Sequence, residues 1–145
     1  MKPSLLTMAL VVTATLLNGG EGPPGVTYIG HDKVSAALTK SASLHKQSDL
    51  IVMGSYRSGA GHAELHEKET DVFYVVEGEA TFVTGGKMIG STVTSPGQRT
   101  GTEIQGGQVY HLTKGDVIVI PAGIPHWFKE VPNSISYFVV KVLKP

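Results

Sequence analysis

The sequence predicts a small all-β domain, an antiparallel sandwich or barrel preceded by one short helix. About eight short apolar segments follow one another from residue 50 onward, and turn residues separate them. Eighteen glycines and eight prolines in 145 residues supply many tight turns. No helical pattern alternates with the apolar segments, and this argues against a parallel α/β sheet.

The amino terminus has the pattern of a secretory signal peptide over about residues 1–20. Lys2 supplies one positive charge, and residues 4–17 carry no charge, a run too short to span a bilayer. The alternative is a buried strand or helix at the start of the fold. Cleavage would fall near residues 12–14 or near residue 20. We expect an exported protein, periplasmic or secreted, with no membrane attachment once the leader is removed.

Residues 21–49 form a prelude to the β region. Residues 21–25 are a linker rich in glycine and proline, and residues 26–29 are predicted to form a short strand. Asp32 is a suitable N-cap for a helix that ends near Lys40. The β domain then occupies residues 50–145.

The β region divides into segments with strand patterning. The predicted strands are residues 50–57, 63–66, 72–76, 80–84, 109–113, 117–120, 127–130 and 135–142. Turns are predicted at residues 58–61, 77–79, 114–116 and 132–133, where glycine, proline, asparagine and charged residues cluster.

Residues 85–107 are unusual because they contain seven glycines in 23 residues. A structureless loop of that length is uncommon inside a compact domain. One interpretation is an extra hairpin in which residues 88–94 pair with residues 102–105 and cover a sheet edge. The other interpretation is a mobile flap over a pocket.

Charge and cysteine content exclude several functions. The chain has 12 basic and 12 acidic residues, so it offers no charged surface for nucleic acid or anionic lipid. It has no cysteine, which excludes disulfides, thiolate nucleophiles and cysteine metal sites. A metal would have to be held by histidine, aspartate or glutamate.

A group of such residues occurs in the β region. Glu64, His66 and Asp71 lie within eight residues, and His126 follows a segment rich in proline and glycine. Side chains two apart on a strand share a face, so Glu64 and His66 point together and His62 can join them. Imidazole and carboxylate groups together form sites for first-row divalent metals.

The spacing of these residues resembles the first motif of the cupin superfamily. That motif usually reads His-x-His-x4-Glu-x6-Gly, and here Glu64, His66, Asp71 and Gly78 stand at its four positions. Two of the four residues differ from the usual ones.

A second stretch resembles the second cupin motif. Gly115, Pro121, Gly123 and His126 match its positions, and its usual asparagine is replaced by Glu130. The two motifs stand in the right order, so the chain resembles a small single-domain cupin.

The resemblance implies an antiparallel jelly-roll β-barrel with a metal in its mouth. By position, Glu64 replaces the first histidine ligand, His66 is the second, Asp71 replaces the glutamate and His126 is the last. Asp71 is one methylene shorter, so it could bind through water or not at all. The mixed donor set favours manganese or iron and is also compatible with zinc, nickel or cobalt. Alternatively, His62 coordinates and one carboxylate does not.

Two apolar runs predict a homodimer. Residues 72–76 and 117–120 are apolar on both faces, so both faces have to be covered. If Asp71 points inward, Phe73 and Val75 line the cavity, while Tyr74 and Val76 face a second sheet or a partner subunit.

The sequence leaves two functions open, because the fold hosts both enzymes and binding proteins. One is a metal-dependent enzyme that acts on a small organic molecule, with His62 as general base. The other is a non-catalytic module that binds a small molecule or a metal. Arg57 and Arg99 could hold a substrate carboxylate, and Phe73 would contact the substrate. A barrel without metal is the remaining alternative.

Overall fold

The computed structural model describes residues 25–145, so the predicted signal peptide lies outside the described residues. One helix, α1, spans His31–Lys40. It is followed by β1 Ala42–Lys46, β2 Leu50–Arg57, β3 Ala63–His66, β4 Glu69–Thr84, β5 Lys87–Ile89, β6 Thr92–Ser95, β7 Gln98–Gly101, β8 Glu103–Gln105, β9 Gln108–Thr113, β10 Val117–Ile120, β11 His126–Glu130 and β12 Ile135–Leu143. Within residues 25–145, no helix is long and apolar enough to cross a membrane.

The strands form two antiparallel sheets that share β4, in the jelly-roll arrangement that the sequence predicts. The first sheet has the order β1-β2-β12-β4-β10. The second has the order β9-β4-β11-β3-β7-β6. The expectation of an all-β antiparallel fold with a short helix before it is confirmed.

Strand β4 corrects the predicted turn at residues 77–79, because one strand of 16 residues runs through it. Gly78 has a φ of +83° and lies opposite Ile135 on β12. A side chain at Gly78 would collide with the carbonyl oxygen of Ser134, so only glycine fits this close approach. The glycine lets the strand pass from the first sheet into the second instead of reversing.

The core lies between the two sheets and is dominated by aromatic side chains. Phe82 stacks edge-on against Phe128 with ring centroids 4.7 Å apart, and Phe73 contacts both rings. Ile135 is fully buried beside them. Burying a phenylalanine side chain contributes about 1.5–3 kcal/mol, so this cluster holds the sheets together beneath the cavity described below.

The segment before the barrel differs from prediction in three ways. The helix begins at His31, after Gly30, and Asp32 is not its N-cap. Residues 26–29 form no strand, whereas Ala42–Lys46 does form one that the sequence analysis missed. Helix α1 packs on the first sheet through Ala37, and a β-carbon at Gly54 would collide with that residue.

The glycine-rich segment forms two short strand pairs, β5 with β8 and β6 with β7. The hairpin interpretation is therefore confirmed, although the pairing divides differently from the predicted one. Strand β7 also pairs with β3, where Gln98 lies opposite His66. Strands β6 and β7 thus extend the second sheet, and β5 with β8 forms a separate two-stranded sheet.

Candidate metal centre

Three strands bring the predicted donor side chains to one end of the barrel. Strand β3 carries Glu64 and His66, β4 carries Asp71, and β11 begins with His126, which lies opposite Glu64. The backbone N–H of Gly123 donates to the carbonyl of His66 over 2.8 Å. This bond fixes the loop that leads into His126.

The four side chains converge. His66 Nε2 lies 3.5 Å and His126 Nε2 lies 3.7 Å from the same oxygen, Asp71 Oδ2. His126 Nε2 is 3.9 Å from Glu64 Oε2. One donor atom each from Glu64, His66 and His126 fall within 4.8 Å of one another, a spacing that a metal ion can bridge.

Hydrogen bonds set the tautomer of His66. Gln98 Nε2 donates to Glu69 Oε1 over 2.6 Å, so the amide oxygen of Gln98 faces His66 Nδ1 and bonds to it. Because that oxygen only accepts, Nδ1 carries the proton and Nε2 keeps its lone pair towards Asp71. A hydrogen bond of this kind orients metal-binding histidines. Gln98 is a functional residue that the sequence analysis missed.

His126 presents its Nε2 in the same way. Its Nδ1 lies 3.3 Å from the carbonyl oxygen of Ile124, while Nε2 is buried and has no hydrogen-bond partner among residues 25–145. Burial, with the charge of His66, lowers the pKa of His126 to about 4. The imidazole is therefore neutral at pH 7 and has a free lone pair. A divalent cation is a suitable partner for this buried atom, so the donor set fits a metal.

Lys141 is a second residue that the sequence analysis missed. Its Nζ donates to Asp71 Oδ1 and Oδ2 over 2.9 and 3.1 Å and to Glu69 Oε2 over 2.8 Å. Lys141 lies directly opposite Asp71 in the pairing of β12 with β4. Its isolated charge within the apolar run of β12 was the available sequence signal. Asp71 therefore reaches the centre already paired with a cation.

The pKa values in this group follow from burial and pairing. Burial raises the pKa of Asp71, and Lys141 opposes that shift. Burial lowers the pKa of Lys141, but Asp71 and Glu69 outweigh it and the net shift is upward. Glu69 is also partly buried, which raises its pKa, yet Lys141 brings the net value below the ordinary one. Lys141 is thus the main group that opposes the effect of burial on its two carboxylates.

A cavity of about 170 Å³ opens onto Glu64, His66 and Asp71, and His126 lies outside its lining. Its lining residues are Met53, Ser55, Arg57, Glu64, His66, Asp71, Phe73, Phe128, Tyr137, Val139 and Lys141. A larger hollow of about 470 Å³ lies against α1 and β1, but no histidine or carboxylate lines it. The smaller cavity is the candidate site because it combines an apolar wall with the convergent side chains of Glu64, His66 and Asp71.

The other predicted site residues separate into two groups. Arg57 and Phe73 line the cavity, and the Arg57 guanidinium lies 4.9 Å from the centre of the Phe128 ring. Among the described residues, neither His62 nor Arg99 lines it. Arg99 pairs with Glu67 over 3.2 Å on the exposed side of the sheet. His62 stands just before β3 and is exposed.

Known proteins are similar to this chain in sequence pattern and fold. The sequence model of the Cupin family matches residues 51–145. No curated protein sequence matches the chain. A protein structure from Bacillus halodurans is 14% identical and covers 86% of this chain and 85% of its own, with a TM-score of 0.58.

Two further structures show the same fold. One is an uncharacterized conserved protein with a double-stranded beta-helix domain from Klebsiella pneumoniae, which is 16% identical, covers 76% of this chain and 86% of its own, and gives a TM-score of 0.53. The other is the DMSP lyase DddQ from Ruegeria pomeroyi, 16% identical, with a TM-score of 0.50. The match covers 70% of this chain and 45% of the lyase. These identities support a shared fold only.

Proposed function

The chain belongs to the cupin family, and on that premise we propose that it is an exported, metal-dependent enzyme acting on a small organic molecule. The observation that carries the proposal is the buried Nε2 of His126, which has no partner among residues 25–145 and faces Asp71 and Glu64. An unsatisfied buried polar atom is rare in a native fold and calls for an explanation such as a bound ion.

We propose that Glu64, His66 and His126 hold the metal. Two imidazoles and one carboxylate are the donor set of many non-haem iron enzymes, and the set also accepts manganese. Asp71 stands beside them, but Lys141 occupies both of its oxygens. When bound, the ion supplies Lewis acidity to a substrate oxygen, and iron adds redox chemistry.

The chain's own residues would shape the rest of the site. Phe73, Phe128 and Met53 form an apolar wall that excludes water. Gln98 and Ile124 hold the imidazole Nδ1 atoms, so both Nε2 atoms keep their direction. The Ruegeria pomeroyi neighbour is named as a lyase of a single compound. This supports small-molecule chemistry on such a fold, although the lyase reaction is not proposed here.

A non-catalytic binding module is the second candidate. The observation that favours it is the absence of an available general base in the cavity lining among the described residues. Lys141 is engaged by two carboxylates, both imidazoles face the proposed metal, and His62 lies outside the lining. If His62→Ala loses turnover and keeps its metal, the result favours the enzyme over the binding module and supports His62 as the general base.

Metal analysis tests the proposal. Protein purified without added metal should contain a near-stoichiometric divalent ion, with manganese or iron the expected elements. His126→Ala and Glu64→Ala should lose it, and chelator should lower the melting temperature of the wild type but not of these two variants. His111→Ala is the matched control, since His111 is an exposed histidine that pairs with Glu79. If His126→Ala retains as much metal as His111→Ala, the metal assignment is wrong.

Two features of the natural state are part of the same proposal. Export predicts that protein from its native source lacks about residues 1–20, which intact mass would measure.

A homodimer is supported by exposed apolar side chains on neighbouring strands of the first sheet, Tyr74, Val117 and Val119. Light scattering at micromolar concentration should return a dimer mass, and a monomer mass would contradict it.

A further inference from the structure

Arg57 is held at the cavity wall without an anionic partner. Its Nε–H is buried and donates to no hydrogen-bond acceptor among residues 25–145. No carboxylate in that part of the chain forms an ion pair with it, whereas Arg99, Lys114 and Lys141 each have one. A partly buried guanidinium without a counter-ion is costly, because burial removes water that would otherwise stabilise the charge.

The fold nevertheless fixes this guanidinium in place. It stacks over the Phe128 ring at 4.9 Å from the centroid, a favourable cation–π arrangement. On its other side, the backbone of Gly61 comes so close that a β-carbon there would collide with the guanidinium. Gly61 is held by bonds of 2.8 Å from Trp127 Nε1 to its carbonyl and 3.0 Å from its N–H to Phe128. We call Phe128, Gly61 and Trp127 the arginine cradle.

Arg57 shares one cavity wall with the proposed metal centre. Met53, Ser55 and Arg57 alternate along β2, and Tyr137, Val139 and Lys141 alternate along β12, so both sets face the cavity. In the pairing of the two strands, Arg57 lies opposite Ile135 and Lys141 lies opposite Ile51. The two cations thus stand at opposite ends of this wall, and the imidazoles gather near Lys141.

One positive charge at the cavity, that of Arg57, has no balancing negative charge. Lys141 and its partners Asp71 and Glu69 together carry a net charge of one negative unit. Glu64 adds a second negative charge. A divalent ion would balance those two charges. The charge of Arg57 then has no counterpart in the described chain, and a ligand with a single negative charge would supply it.

We infer that the arginine cradle is the anion-binding end of the substrate site, and that the ligand is a small monocarboxylate with an oxygen function at its other end. This inference rests on the proposed function, because the second oxygen would face the metal centre. The guanidinium offers a planar fork of donors that matches a carboxylate. The cavity volume equals about six water molecules, below the range of about 300–1,000 Å³ of sites for drug-sized ligands.

Calorimetric titration with a matched pair of probes tests the inference. The probes are 4-hydroxybutyrate and its neutral analogue 4-hydroxybutyramide, titrated into metal-loaded wild-type protein. The carboxylate should bind about tenfold or more tightly than the amide, because a charge-assisted hydrogen bond exceeds a neutral one by roughly that factor. Arg57→Gln should abolish the preference while the metal content stays at the wild-type level.

Glycine variants separate the cradle from the charge alone. Gly61→Ala should also abolish the preference, since the three atoms nearest to its methyl group all belong to the flexible Arg57 guanidinium, which has to move. Gly59→Ala is the matched control, because nothing lies within 4 Å of a β-carbon at that position. Arg99→Gln is the control for loss of a positive charge. Both controls should keep the wild-type preference.

Failure of this inference can be told from failure of the proposed function. The cradle contains no metal donor, so chelator-treated protein should retain a weaker preference for the carboxylate. A retained preference in a protein that binds no metal contradicts the proposed function alone. The inference is overturned if wild-type protein shows no preference for the carboxylate, or if Arg57→Gln or Gly61→Ala keeps it.

Discussion

Two cations reach the same cavity from neighbouring strands, and the fold treats them in opposite ways. Lys141 on β12 is surrounded by Asp71 and Glu69, and three of its contacts are 3.1 Å or shorter. Arg57 on β2 has an aromatic ring and a glycine backbone around it but no carboxylate. A fully paired charge stabilises the folded chain, whereas an unpaired one is available to a ligand. The position of a cation in the cavity therefore says less about its role than its partners do.

The largest expected effect is on the paired end. Lys141→Met removes the cation from Asp71, which is 2% exposed, and from Glu69. The variant should lose about 3–5 kcal/mol of unfolding free energy, because breaking a buried ion pair leaves an uncompensated charge. Urea denaturation at pH 7 measures this. Lys114→Met, which breaks an exposed pair with Glu77, is the control and should be unchanged. If Lys141→Met is as stable as Lys114→Met, the pairing of Lys141 with Asp71 and Glu69 does not stabilise the fold.

The next effect tests how strongly burial lowers the pKa of His126, which lies beside the pair of Lys141 and Asp71. The pKa of His126 is lowered to about 4 from its ordinary 6.5, so between these pH values the unfolded chain binds a proton that the folded chain does not. The unfolding free energy of metal-free protein should therefore fall by about 3 kcal/mol as the pH drops from 7 to 4. Above pH 6.5 this contribution is constant.

The matching variant isolates that histidine. In His126→Phe, which keeps an aromatic ring and cannot titrate, this part of the pH dependence should disappear, as urea denaturation at pH 7, 5 and 4 would measure. The lowered pKa of Glu69 acts in the same direction but at lower pH, since its stabilisation is lost as the pH falls through the folded value. Identical pH dependence in wild type and His126→Phe would show that burial of His126 has no such effect.

The smallest effect on the unfolding free energy is expected at Arg57, which has no ion-pair partner in the described chain. Arg57→Gln removes a cation–π contact with Phe128 and a side-chain contact with Tyr137, but no ion pair within the described chain. Its loss of unfolding free energy should stay at about 1 kcal/mol or less. The measurement is urea denaturation beside Lys141→Met. If Arg57→Gln loses as much stability as Lys141→Met, then Arg57 has a structural role and the contrast between the two cations fails.

The sequence alone determined the fold class and predicted which polar side chains meet at one end of the barrel. Apolar segments bounded by turn residues predicted the bounds of β2 and β3, because such punctuation marks where a strand ends wherever it sits in the chain. The spacing of Glu64, His66, Asp71 and His126 predicted that these side chains meet, and the structure brings them together. Motif spacing works here because it encodes register along strands.

Tertiary structure decided everything that depends on pairing between distant segments. Lys141 reaches Asp71 across 70 residues of sequence, and Gln98 reaches His66 across 32. Neither distance leaves a local pattern in the sequence. Gly78 shows the same limit, since a glycine between two apolar runs is typical of a turn, yet here the pairing with Ile135 carries β4 straight through it. Local chemistry selects the strands, and only their packing decides that Arg57, unlike Arg99, faces the cavity without a counter-ion.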